Sequence, residues 1–202
     1  MPKIKLTKTE LKTQQDALKQ YSRFLPTLQL KKQQLQVEMR LSAERLRQNE
    51  EEQEQLHRGL ESWVAMFGTP DAVELLSGLV DLKHVNSEIS NIAGVNVPVF
   101  KDAVFSIAEY NLFREDSWIA DAVEVLKKML SLLEAHKILE EQARLLAKEL
   151  RTTTQRVNLF EKIKIPECKE NIRFIRIYLG DIDTAGVARS KIAKRKGQEA
   201  AA

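Results

Sequence analysis

Side chains able to do covalent or metal chemistry are few in this sequence and lie far apart. His57, His84 and His136 are the only histidines, and none has a second histidine or the single cysteine, Cys168, beside it. A zinc site needs several nitrogen or sulfur ligands at helix or turn spacing, and one thiol makes no internal disulfide. No HExxH helix, phosphate-cradling glycine loop or nucleophile elbow occurs. Glu50, Glu51, Glu52 and Glu54 form a carboxylate run, the pattern of a solvated helix face rather than of a paired acid and base. His136 falls on an apolar seam and reads as a neutral, hydrogen-bonded packing residue. Cys168, two residues past Pro166, reads as a spectator. The sequence predicts no catalytic residue, no cofactor and no metal.

Charge is distributed unevenly. Residues 1–60 carry 12 Lys/Arg against 8 Asp/Glu, residues 61–150 carry 8 against 15, and residues 151–202 carry 12 against 6. Basic ends around an acidic middle predict that the ends lie together and meet a different partner from the middle. Arg189, Lys191, Lys194, Arg195 and Lys196 form a basic tail that is expected to fray. No Trp or Tyr is interleaved there to stack on bases, so no nucleic acid is expected as a partner. No stretch approaches the roughly 20 uncharged apolar residues that cross a bilayer. The opening Met1-Pro2-Lys3-Ile4-Lys5-Leu6 has no apolar run behind its lysines, so neither membrane insertion nor secretion is expected.

The elements that carry these residues are long helices. Only seven Gly and five Pro occur in 202 residues, with aromatics at 6% and charged residues at 30%. A sandwich or barrel needs more turn residues than that. Pro26 is the only breaker between Pro2 and Gly59, and Pro166 the only one between Pro98 and Gly180. Gly59, Gly68, Pro70, Gly78, Gly94 and Pro98 fall together in the middle. The pattern reads as a long helix, a broken centre and a second long helix.

Heptad spacing sharpens this. Leu11, Leu18, Leu25, Lys32, Met39, Leu46, Gln53 and Leu60 form one series, and Gln14, Tyr21, Leu28, Leu35, Ser42, Asn49, Leu56 and Trp63 its companion. Eleven of these sixteen are apolar or aromatic, and a 3.5-residue repeat held this long predicts a supercoiled helix of about 80 Å. The second helix carries Val125, Leu132, Leu139, Leu146, Thr153, Phe160 and Met129, His136, Ala143, Leu150, Val157, Lys164. It is expected to start at a Ser117 cap and to end near Gly180. Polar seam positions such as Gln14, Lys32, Asn49 and Gln53 weaken the pair but fix its register. Pro26 removes one helix hydrogen bond and predicts a bend over Arg23–Pro26.

Between the helices, Asn91-Ile92-Ala93-Gly94-Val95-Asn96-Val97-Pro98 reads as strand, glycine turn and strand. A lone hairpin is marginal in water, so it must lean on the helices or on a partner. The predicted fold is mainly all-α, a long antiparallel two-helix coiled coil with a small central β-hairpin. Residues 1–63 form the first coil helix, 64–116 the central segment, 117–180 the second coil helix and 181–202 the basic tail. The expected seam comprises Leu11, Leu18, Leu25, Leu28, Leu35, Leu46, Leu132, Leu139, Leu146, Leu150 and Val157.

Several short motifs coincide with one family. The opening Leu6-Thr7-Lys8-Thr9-Glu10-Leu11, the lysine-rich Leu30-Lys31-Lys32-Gln33-Gln34-Leu35 and the hairpin with Gly94 and Pro98 occur in order. Gln155-Arg156-Val157-Asn158-Leu159-Phe160-Glu161, with Ile165-Pro166 and Asn171-Ile172-Arg173-Phe174-Ile175, follows them. In these motifs, over about residues 5–196, the chain resembles the D subunit of the V-type and A-type (vacuolar and archaeal-type) ATPases, in the bacterial branch. Arg156, Val157, Asn158, Ile165 and Pro166 form its most specific element.

The resemblance implies a non-catalytic rotor shaft. In that family the terminal helices enter a head of catalytic A and B subunits. The lower shaft carries the F subunit and sits on a funnel-like subunit above the membrane ring. A cytoplasmic position, peripheral to the inner membrane, is implied. A prefoldin-like holdase and a passive coiled-coil tether are the alternative architectures of this type.

Overall fold

A computed structural model describes residues 4–61, 78–108 and 118–200. Helix α1 spans Lys8–Glu61, strands β1 and β2 span Val80–Ile92 and Val95–Ile107, and helix α2 spans Trp118–Asn158. A π-helical turn follows over Leu159–Lys164, and helix α3 runs over Ile165–Ala200. The fold is mainly α, a coiled coil with one small antiparallel hairpin. The seam position Trp63 and the expected cap Ser117 lie outside the described residues. The chain forms two compact units, one from its two ends (up to Lys32, and from Thr152) and one from Gln33–Arg151.

The start of α1 is set by Thr7, the residue just before it. Thr7 Oγ1 accepts the Glu10 backbone N–H at 3.2 Å, and the Thr7 carbonyl accepts the Leu11 N–H at 3.0 Å. Thr-x-x-Glu is the capping-box pattern, so the opening motif has a local structural reason. Further along, α1 continues unbroken through Pro26. The proline ring is exposed, so it contributes little packing while leaving the Ser22 carbonyl without its i+4 donor. Pro26→Ala is expected to stabilise the chain by about 2 kcal/mol, the helix-breaking cost less the stiffening a proline gives the unfolded chain. Urea unfolding of the two proteins checks this, and an equal or lower midpoint for the alanine variant would contradict it.

In the terminal unit the two helices run antiparallel. Asn171 Nδ2 donates to Gln14 Oε1 at 3.4 Å, and the rings of Tyr21 and Phe160 stack obliquely with centroids 5.0 Å apart. The expected helix end at Gly180 is corrected by the structure. Helix α3 continues through Gly180, Gly186 and the basic tail to Ala200. One glycine costs a helix only about 1 kcal/mol, and the residues after it are rich in Ala, Lys and Arg, all strong helix formers. Arg195 also reaches Glu199 one turn on, at 3.6 Å. A Cβ added at Gly180 would meet no atom within 4 Å. Gly180→Ala is therefore expected to add about 1 kcal/mol, read as a rise in melting temperature of about 2–4 °C.

In the central unit the hairpin closes on a two-residue turn, Ala93-Gly94, with Ile92 opposite Val95. Both turn residues have positive φ, 50° and 78°, the geometry of a type I′ turn whose twist matches the strands. Asn91 locks it. Its Oδ1 accepts the Gly94 N–H at 3.1 Å, and its Nδ2 donates to Asn96 Oδ1 at 2.7 Å. The strands reach far beyond Asn91–Pro98, to Val80 and Ile107. The register skips Lys83 on one strand and Lys101 on the other. Each bulge shifts the inward face by one residue.

Candidate functional site: the seam and the docked hairpin

Every described position of the four heptad series is buried or half-buried. Of the expected seam residues, Leu35, Leu146 and Val157 are buried, at 0%, 1% and 3% exposure. Leu11, Leu18, Leu25, Leu28, Leu46, Leu132, Leu139 and Leu150 are half-buried. Several large apolar residues off the series, Phe24, Leu30, Val37 and Leu133 among them, are exposed.

The central unit brings two of these leucines onto the hairpin. Leu35, Val97 and Leu146 form one buried cluster, with Met39, Ile92, Ala93, Val95, Leu145 and Leu150 around it. A second cluster grips the strand ends. Leu79, Val80, Ile119 and Val123 are buried together, flanked by Phe105, Trp118, Leu126 and Leu130. Thirteen residues of strand reach about 40 Å, and the 23 residues from Val123 to Leu146 climb about 35 Å of helix. The hairpin is thus held on the coil at both its tip and its base. Pairing alone would leave it marginal, and burial of Val97, Leu35 and Leu146 supplies the missing stability.

The seam also carries a polar band. Asn49 Nδ2 donates to the Leu132 carbonyl at 3.3 Å, and Gln53 Nε2 donates to Asn49 Oδ1 at 2.6 Å. Ser42 and Gln142 are buried as well. Fourteen residues separate Leu35 from Asn49 and fourteen separate Leu132 from Leu146, so both contacts obey one antiparallel two-heptad register. A polar pair at one level forbids a slip that apolar layers would tolerate. His136 lies on this stretch with Nε2 3.5 Å from Glu140 Oε1, while its Nδ1 and the Ser42 hydroxyl are buried without a hydrogen-bond partner. The Nδ1 departs from the fully bonded packing histidine that its seam position predicts. Gln142 is not legible in the sequence as a buried residue, because it stands one place off the heptad series.

Cys168 is buried, and removal from water pushes its thiol above the ordinary range. That disfavours the thiolate a nucleophile needs. The Glu50–Glu54 carboxylates are all exposed. Among the described residues, no cluster of His, Cys, Asp and Glu is arranged to hold a metal ion, and no helix is long and apolar enough to cross a membrane.

The Arg156-Val157-Asn158 motif abuts the π-turn, and Ile165-Pro166 follows it. Ile165 N–H donates to the Phe160 carbonyl five residues back. Pro166 has no N–H for the Lys162 carbonyl, and its ring would crowd that carbonyl in a regular helix. The wider turn before it fits both demands. Val157 points into the seam, while Arg156, Asn158 and Pro166 are exposed and Ile165 is half-buried.

The family model for the ATP synthase D subunit matches residues 10–195. The chain belongs to that family. A V-type ATP synthase D subunit of Borreliella burgdorferi is 42% identical over 96% of this chain and 95% of its own length. The protein of the same name from Chlamydia muridarum is 35% identical over 97% of each chain. In this member of the family the opening motif is the α1 N-cap, the Gly94 motif the hairpin turn, and the Ile165-Pro166 motif the exit from the π-turn.

Proposed function

We propose that this chain is the central-stalk rotor shaft of a V/A-type rotary ATPase. It carries torque between the nucleotide-hydrolysing or synthesising head and the ion-translocating membrane ring, and is itself non-catalytic. The observation that carries the reading is the D-subunit family match along nearly the whole chain. The seam supports it physically, because two helices locked at every heptad resist bending and twisting better than one. Residues 1–63 and 117–180 form the rod, 64–116 the segment facing the lower stalk, and 181–202, where α3 continues as helix to Ala200, the basic end. The partners are the catalytic A and B subunits, the F subunit and the funnel-like subunit above the ring. The place is the cytoplasmic side of the inner membrane, peripheral to it.

Two variants in a reconstituted complex test the assignment. Removing residues 186–202 is expected to lower coupling while the F subunit stays bound. Replacing Asn91–Pro98 with a flexible linker is expected to weaken turnover or stalk contacts while the coil stays folded. Variants that both assemble and turn over like the parent would remove these roles. Protection of unfolded clients, abolished by the first deletion and indifferent to A and B subunits, would favour a holdase instead.

A further inference from the structure

The seam changes phase at the π-turn. Carried on from Thr153, Val157, Phe160 and Lys164, the heptad would place Glu167, Asn171, Phe174 and Tyr178 inside. The structure buries Cys168, Ile172 and Ile175, with Leu179 half-buried, each one residue later. Of the heptad positions themselves, Glu167 and Asn171 stay half-buried, Asn171 against Gln14, while Phe174 and Tyr178 are exposed, at 60% and 41%. A single π-turn accommodates one extra residue in an α-helix, and Leu159–Lys164 absorbs one here. Helix α3 therefore carries two adjacent stripes with heptad spacing, and the π-turn selects between them.

We propose that the π-turn is a one-residue rotary switch. Its relaxation to regular α-helix turns α3 by about 100° about its own axis. Cys168, Ile172, Ile175 and Leu179 leave the seam, Glu167 and Asn171 move from its edge to its centre, and Phe174 and Tyr178 enter it. The resident face is the more apolar and dominates. The alternative keeps two large aromatic rings to bury, so it is a minor conformation rather than an unfolded one. Pro166 biases the switch toward the resident face, because its ring would crowd the Lys162 carbonyl once the turn relaxed to regular helix. All the residues involved belong to the terminal unit, and the proposal stands whether or not the chain is a rotor shaft.

Cys168 is the only cysteine in the sequence and reports the switch directly. Thiol labelling of the full chain in native buffer is expected to proceed through rotation of α3, faster than global unfolding and nearly independent of dilute urea. Phe174→Ala with Tyr178→Ala removes apolar surface only from the alternative face, and is expected to slow labelling about tenfold, by depopulating a minor state. Deleting Lys162, exposed within the π-turn, restores a plain heptad with Cys168 inside. It is expected to slow labelling while helix content is kept. Labelling that follows global unfolding in urea, or a double-alanine variant labelled as fast as the parent, would overturn the proposal, whatever the fate of the deletion.

Discussion

Leu146→Ala is expected to destabilise the chain by about 3 kcal/mol, within the range for a leucine removed from a close-packed site. Leu146 is 1% exposed and shares its cluster with Leu35 and Val97. The substitution leaves a cavity where hairpin and helices meet, and neither can collapse into it without losing the other contact. Thermal melts should show a fall of about 6–12 °C, since 1 kcal/mol moves a domain of this size by about 2–4 °C. Leu133, on the same helix but 38% exposed, is the control. Its alanine variant should stay within about 0.5 kcal/mol of the parent. Val97→Ala should act on the same cluster, so its loss and that of Leu146→Ala should fail to add. Equal effects at Leu133 and Leu146 would mean that the hairpin is not docked through this cluster.

Ile175→Asp should have the second large effect. Ile175 is fully buried, whereas Ile177, two residues on, is 54% exposed. A carboxylate at position 175 would be taken out of water into the apolar seam, at a cost of several kcal/mol. The same change at Ile177 would meet water and cost little. Burial favours the neutral acid, so the introduced group has its pKa raised in the folded state. The penalty then grows as pH rises above the unfolded value of about 3.9 and eases as the acid is protonated below it. Urea midpoints across pH 4–8 should therefore fall with rising pH for Ile175→Asp, relative to the parent, and stay parallel to it for Ile177→Asp. Parallel profiles for both would contradict the phase assigned to α3.

These sites differ in how far they can be read from sequence. Leu35 and Leu146 stand on unbroken heptads, and one period over fifty residues leaves little freedom about which face is buried. Ile175 does not follow that count. It becomes legible only when Val157 and Cys168 are seen eleven residues apart, a step that needs the π-turn's extra residue. Continuation past Gly180 is unreadable for another reason: a glycine is compatible with either an end or an exposed helical position. The hairpin's full length is hidden because the bulges at Lys83 and Lys101 break the two-residue alternation. Its turn is readable, because Gly94 can adopt positive φ without cost, whereas Ala93 does so at a cost on the order of 1 kcal/mol.

The most direct test of the shaft reading is to watch the chain turn. A complex of this chain with A and B subunits is fixed by its head, and a bead is attached through a cysteine placed at exposed Lys83, with Cys168 changed to serine. On adding ATP, the account predicts stepwise rotation of the bead in one direction, stopping when ATP is removed. A bead that stays still while the same immobilised complexes hydrolyse ATP would contradict it.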